Sequence, residues 1–441
     1  MRTIFAALLL IFIVFDSYGQ EIPKKELWTL DKCINYAWEN NLQIQKQKLS
    51  IEQSSNDLKQ SKLNYIPSLG ASIGHNMSWG KSVDLKDLQV TTQFMQNTSA
   101  NINTSIALLD GLSKINTVKS NKAAVNISIQ EVESLKNDIS INITKAYLQI
   151  LLSKEILQTN KNNFNSISEQ RNRTAILVDA GNQAYSSLLE IESQLASERV
   201  ELVRSKNKLK ADILALLQLL NLPYNSEFGI MEPTEIIDYS SLPKENIDSI
   251  FNIASALPKI KAKSLQLEQN KLQLLIAKGS AYPSIHFSAG YGTYYSNTGE
   301  SSFFSQLEGN RNPSIGFSLN IPIFNNWRTN TQIRNARIGV KKSELDLKDT
   351  KYDLYKEIQS VLLDAESIFE QMLASKVNLH SIEESFKYVE EKFNVGALNS
   401  TDYTVSKTNL LKAQSEYYKA KYQFIFQLKI IDFYKGKPLT L

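Results

Sequence analysis

The side chains able to do chemistry are few, and none are spaced to do it together. Cys33 is the only cysteine among 441 residues, so neither an intrachain disulfide nor a thiolate metal centre can form. The three histidines, His75, His286 and His380, stand far apart in the chain, whereas metal and acid–base sites need several converging groups. Asp and Glu are common but read as solvated helix faces, and no glycine-rich phosphate loop or nucleophile elbow stands out. The sequence therefore predicts no enzyme, no cofactor and no metal. Lys+Arg and Asp+Glu number 49 and 45, a net charge of +4, and no basic block marks a nucleic-acid partner. Hydrophobic residues make up 42%, which is low for a helical membrane protein.

With little chemistry to position, the elements themselves become the message. Arg2 followed by an unbroken apolar run over residues 4–15 and small residues at Ser17 and Gly19 reads as a secretory signal, 1–19, cut near Gly19/Gln20. The competing reading is a membrane anchor, but the run falls short of the roughly 20 residues needed to span a bilayer. Cys33 lies too far past that junction for lipid anchoring. No later stretch approaches 18 uninterrupted apolar residues, so an exported envelope protein without helical spans is expected.

The chain then repeats one plan. Pro67-Ser68, Ser72 and Gly74 recur at Pro283-Ser284, Ser288 and Gly290; Gly181 and Pro223 recur, one register step shorter, at Gly396 and Pro438. The expected halves are 20–223 and 247–441, joined by a linker at 224–246. Breakers order each half as helix, strand, loop, strand, very long helix, turn, helix. Residues 112–179 hold no Gly or Pro and 326–395 hold only Gly339, so each would run about 100 Å if continuous. Further helices are expected over 187–220 and 401–434. Leu188, Leu195, Leu202, Leu209 and Leu216 recur every seven residues, matched by Tyr403, Leu410, Tyr417, Phe424 and Ile431. Periodicity alone favours a solid coiled-coil bundle over anything hollow.

Four short segments at about 68–80, 96–108, 284–296 and 313–323 alternate instead with period two. Leu69, Ala71, Ile73, His75, Met77 and Trp79 share one face in the first, against Ser, Gly and Asn on the other; Ile315, Phe317, Leu319 and Ile321 do so in the fourth. Each is about the length of a tilted transmembrane strand, and aromatics cluster near the ends: Trp79, Phe94, Tyr294 and Tyr295 at one, Tyr65, Tyr282, Phe324 and Trp327 at the other. His75 takes the apolar phase and His286 the polar one, so they do not converge. Two soluble hairpins with one wet face is the rival reading. On the membrane reading the loops 80–94 and 297–312 are external, and four strands cannot close, so hydrocarbon forces an oligomer.

These residues are similar to the TolC-like outer-membrane efflux proteins over essentially the whole mature chain. The likeness is carried by Tyr65-Ile66-Pro67-Ser68 and Ala281-Tyr282-Pro283-Ser284, by Leu109-Asp110-Gly111, and by Phe393-Asn394-Val395-Gly396 followed by Thr401-Asp402. The resemblance implies an α+β membrane protein with long antiparallel coiled-coil helices. A homotrimer completes one 12-stranded β-barrel in the outer membrane, continued by a helical tunnel across the periplasm. It implies passive export from an inner-membrane RND or ABC-type transporter through a periplasmic adaptor; drugs, metal ions, siderophores and secreted polypeptides all remain open as cargo. A periplasmic coiled-coil adaptor or scaffold is the alternative. By the same resemblance, Gly181, Asn182, Gly396 and Ala397 form tip turns that touch the adaptor, Pro67 and Pro283 mark helix–strand junctions, and residues 221–247 form an equatorial region. Asp402 matches an acidic residue of the periplasmic gate. A second acidic position of the family falls on Val405 and a basic one on Leu398, so this gate would carry fewer charges. Apart from the resemblance, Ser187-Leu188-Leu189-Glu190 reads as a capping box, and Asp402 can cap its helix in the same way.

Overall fold

The computed structural model describes residues 27–83, 89–232 and 245–441; the signal expected over 1–19 lies outside them. A two-residue strand, β1 (Leu27–Trp28), leads into helices α1 (Leu30–Asn40) and α2 (Leu42–Leu63). The hairpin β2 (Ser68–Val83) and β3 (Val90–Asp110) follows, then the long helix α3 (Ser113–Asp179), α4 (Tyr185–Leu219) and the short strand β4 (Gly229–Ile230). The second half holds α5 (Ile247–Ala254), α6 (Pro258–Gly279), β5 (Ser284–Ser296), α7 (Phe303–Gly309), β6 (Asn312–Asn320), α8 (Arg328–Asn394) and α9 (Ser400–Tyr434).

Both long helices have 67 residues, about 100 Å at 1.5 Å per residue. Each is flanked near the sheet by a shorter helix, α2 on α3 and α6 on both α3 and α8, and farther away by α4 on α3 and α9 on α8. The packing is polar in matching places: the Ser54 and Ser128 hydroxyls lie 3.0 Å apart between α2 and α3, and Asn270 bonds Ser343 between α6 and α8. Both long helices are entered through two left-handed residues, Gly111 and Leu112 (φ 61° and 67°) and Asn326 and Trp327 (φ 54° and 62°). This turn swings the chain from strand to helix. The Lys114 amide donates to Asp110 Oδ2 at 2.9 Å, and the Asn325 side chain accepts from Thr329 at 3.4 Å.

The largest apolar core lies midway along the helices. Leu30, Cys33, Ile34 and Ala37 of α1 pack on Ile143, Tyr147 and Ile150 of α3, with Leu216, Ile230, Ile425 and Leu439 closing around them. Burying each of the Leu and Ile side chains fully contributes about 1.5–3 kcal/mol. β1 pairs with β4 in parallel, and the Tyr147 hydroxyl lies 3.0 Å from the Trp28 carbonyl and 2.5 Å from that of Met231. Thus the segment expected as an equatorial linker, 224–246, contributes a strand; residues 233–244 lie outside those described.

Several boundaries differ from expectation, each for a local reason. The first helix breaks at Asn41, whose side-chain oxygen accepts from the Gln43 and Ile44 amides and so restarts it as α2. α4 begins at Tyr185 with Ala184 at the N-cap. The proposed capping box at Ser187 is absent, because the Ser187 amide already bonds the Ala184 carbonyl within the helix. β2 and β3 run beyond the expected strands into the loop 80–94, whose centre, 84–88, lies outside the described residues. The loop 297–312 contains α7.

Candidate channel wall and tip

The four long strands form one antiparallel sheet in the order β2-β3-β5-β6. Its register lines up the alternation strand by strand. Ala71 pairs with Ile102, Ile102 with Tyr291, Ile106 with Phe287, Phe287 with Phe317, and Ile285 with Leu319. The neighbouring set pairs Gly74 with Ser99, Asn103 with Gly290, Ser105 with Ser288, and Ser288 with Gly316. A slip of one residue in any strand would mix the faces. The apolar face is bare: Leu69, Ile73, Ile315 and Phe317 are each more than 70% exposed. The polar face is built of small polar residues, with Asp110 opposite Ser284 as a charge at its helix end, and the Asn101 and Asn103 side chains lie across Gly292 and Gly290, where no Cβ intervenes.

One detail corrects an expected phase, and another assigns two aromatics to their faces. A bulge between Ala107 and Leu109 takes Leu108 out of the ladder and gives its place on the apolar face to Leu109, opposite Ile285. Tyr294 pairs with Ser99 and so belongs to the polar face, whereas Tyr295 shares the apolar one. Trp79 and Phe94 pack with ring centroids 4.8 Å apart, and Trp327, Phe324 and Tyr282 are exposed at the opposite end. His75 bonds Thr98 at 2.9 Å on the apolar side and His286 pairs with Ala107 and Ser318 on the other, so the two do not meet.

At the far end of the helices stand two turns of one construction. The Gly181 amide donates to the Val178 carbonyl at 2.9 Å and the Asn182 amide to that of Leu177 at 2.8 Å. Gly396 repeats this to Phe393 at 3.0 Å and Ala397 to Lys392 at 2.8 Å. Both glycines take φ 76°, the left-handed value that closes a helix C-terminus. Pro67 and Pro283 stand at the sheet end, each just before the first residue of a strand and just after a helical turn.

Asp402 is exposed in the first turn of α9, but it is not the cap. That role falls to Asn399, whose Oδ1 accepts from the Asp402 amide at 2.8 Å while its Nδ2 donates to Asp402 Oδ2 at 3.0 Å. Asn399 stands three residues ahead of Asp402, the capping-box spacing with Asp in place of Glu, so the cap was legible in the sequence. Behind it Tyr403, 1% exposed, stacks on Phe393 at 4.4 Å, and the Lys407 ammonium lies 4.7 Å from the Phe386 ring centre. Burial lowers the Lys407 pKa, against the pull of Glu390 and Glu198, and burial raises that of Glu198. Thr404 donates to Gln194 at 2.6 Å, and Arg171 grips Glu192 at 2.7 Å. This polar seam joining α9, α4 and α3 was not anticipated, because its members are far apart in sequence.

Cys33 is fully buried and its thiol is pushed up to about 12 by burial, so it is no nucleophile. Among the described residues no group of His, Cys, Asp and Glu could hold a metal ion, and no helix is long and apolar enough to cross a membrane.

The family model described as "Outer membrane efflux protein" matches residues 33–222 and 252–428. The chain is 20% identical over 405 residues to the outer membrane efflux protein BepC of Brucella suis biovar 1 (strain 1330), covering 90% of this chain and 83% of that protein. In fold it is similar to CusC (TM-score 0.77, 16% identity, 93% of this chain and 92% of the other). It is likewise similar to the CmeC outer membrane channel of Campylobacter jejuni (0.77, 17%, 93% and 87%) and to the open state of the MtrE outer membrane channel of Neisseria gonorrhoeae (0.75, 16%, 93% and 90%).

Proposed function

Because the chain belongs to the outer membrane efflux protein family, we propose that it is the outer-membrane export channel of a tripartite efflux pump or type I secretion system. The observation that carries this reading is the four-stranded sheet with one apolar and one small polar face, in register across every strand and unpaired at β2 and β6. Hydrocarbon does not tolerate open strand edges, so the sheet closes with copies of itself. Two chains would give an eight-stranded barrel filled by its own side chains; three or four give twelve or sixteen strands and an open lumen. The family likeness favours three, so the reading is a homotrimer, with the apolar face against outer-membrane lipid and Ser, Gly and Asn lining the pore. The adaptor or scaffold alternative would need a cover for the apolar face, and among the described residues no helix is spare for it.

The long helices continue this pore as a periplasmic tunnel. Their interfaces and turns match between halves, which supports an origin by duplication: Ser54 and Ser128 beside Asn270 and Ser343, and the turns at Gly111 and Asn326. A neutral, hydrophilic wall lets solutes pass without binding them. Conduction is passive, and energy comes from an inner-membrane transporter of RND or ABC type. The tip turns at Gly181, Asn182, Gly396 and Ala397 receive the periplasmic adaptor. Asp402, exposed beside the second turn, contributes to the resting gate as one of three copies. Pro67 and Pro283 fix where tunnel becomes barrel.

The test is fractionation followed by reconstitution. The channel reading expects heat-modifiable trimers in the outer-membrane fraction and ion conductance in planar bilayers. A soluble periplasmic monomer without conductance overturns it.

A further inference from the structure

We propose that α7 lies in the outer leaflet of the outer membrane and presents Phe303 and Phe304 to lipid at the outer rim of the barrel. The inference rests on the barrel reading above. β6 pairs with β5 only as far as Asn312 opposite Gly292, whereas β5 stays on β3 up to Ser296. The last residues of β5 thus have one edge without a strand, and α7 occupies it. The Gln306 side chain accepts from the Ser296 amide at 3.0 Å and donates to the Ser296 and Ser301 carbonyls at 3.0 and 2.7 Å. Asn310 donates to the Tyr294 carbonyl at 2.8 Å, and the Thr293 hydroxyl to that of Leu307 at 2.6 Å. Gln306 is buried, so the helix is fastened to the strand rather than carried on a loose loop.

The side of attachment identifies the partner. Thr293 and Tyr295 share the phase of Tyr291, Phe287 and Ile285, the apolar face, and not that of Tyr294. The Tyr295 and Phe303 rings lie 4.8 Å apart, and Phe304 meets Phe303 edge-on at 5.4 Å. Phe304 is nevertheless 81% exposed. It extends the bare apolar face at the same end of the sheet as the Trp79–Phe94 pair. Glu308 and Arg311 form an ion pair at 3.4 Å, giving the same segment a charged edge. Aromatic rings below and a charged edge above suit the boundary between acyl chains and headgroups. Lipid is the occupant because the face that α7 extends is the one hydrocarbon covers in the barrel.

The experiment uses the full-length trimer in phosphatidylcholine vesicles, spin-labelled at Phe304→Cys or at Ile315→Cys on the mid-sheet apolar face. Cys33 stays in place, since its buried thiol takes no label. Relaxation by oxygen is compared with that by a water-soluble nickel chelate. The expected result is oxygen accessibility several-fold above nickel accessibility at both sites, with the label at 304 shallower. Nickel access at 304 with oxygen access at 315 puts α7 in water and overturns the inference alone. Protection from both reagents at 304 places it against the neighbouring protomer and also overturns it. Nickel access at 315 brings down the barrel reading and this inference with it.

Discussion

A Cβ placed on Gly279 would stand 2.8 Å from the carbonyl oxygen of Gly111. The last residue of α6 and the first left-handed residue before α3 thus meet backbone to backbone, where the tunnel joins the sheet. Gly279→Val should force the two apart and destabilise the trimer by about 1–3 kcal/mol, the usual cost of overpacking. Gly339→Ala in α8 is the contrast, since nothing lies within 4 Å of its Cβ. Helix propensity there favours Ala by as much as about 1 kcal/mol. The temperature at which trimers dissociate on gels should fall for the first variant and hold or rise for the second.

Adjacent residues of β6 should respond in opposite ways. Phe317 pairs with Phe287 on the apolar face and Ser318 with His286 on the polar one. Phe317→Lys sets a charge against hydrocarbon at about 2–4 kcal/mol near the midplane, and trimer yield should drop. Ser318→Lys should assemble normally and shift the reversal potential toward anion selectivity. Equal losses for both would mean that the sheet does not separate lipid from lumen.

What could be read in advance followed the strength of local rules. Gly181 and Gly396 punctuate otherwise unbroken helices, and a left-handed helix end asks for glycine, so both turns were visible. Period-two alternation placed the four strands because one face repels water and the other does not. The seven residues of α7 show no such pattern; they are helical because Gln306 and Asn310 satisfy a strand edge that sequence alone does not reveal. The bulge at Leu108 is likewise settled by the partner strand, since Leu108 and Leu109 are equally apolar. At the tip, Ser187 has the right spacing to Glu190 but lies inside the helix, whereas Asn399 caps α9 and Asp402 answers it.

Asn399 and Asp402 can be separated by their effects. Asn399→Ala removes the cap and should cost about 1 kcal/mol, read as faster hydrogen exchange in the first turn of α9. Asp402→Asn keeps the cap but removes a charge from the proposed gate. It should change resting conductance or its sensitivity to cations while trimers form as before. An unaltered conductance and cation response would leave Asp402 a helix-end residue only.

Gly396 carries φ 76° with open space around its missing Cβ, so an added Cβ meets conformational strain but no clash inside the protomer. Gly396→Trp should cost about 1–2 kcal/mol at the turn and project bulk toward the adaptor. Export and adaptor crosslinking should fall while barrel assembly survives. Normal export with normal crosslinking would remove this turn from the contact.

The seam behind the tip should respond to pH through Glu198. Burial lifts its carboxyl above the ordinary 4.5, with the Asn163 amide and Lys407 opposing. Between 4.5 and the raised value, the folded chain holds a proton that the unfolded chain has released. Stability therefore falls as pH rises through that window and is regained on acidification. Lys407 acts at the other end: burial holds it below its ordinary 10.5, so stability rises with pH between the lowered value and 10.5. Glu198→Gln abolishes the acid window and leaves the alkaline one. Hydrogen exchange in α4 should slow on acidification toward 4.5 in the native chain, after correction for the intrinsic exchange rate, and change less in the variant. Superimposable profiles would mean that Glu198 is as well hydrated in the fold as in the unfolded chain.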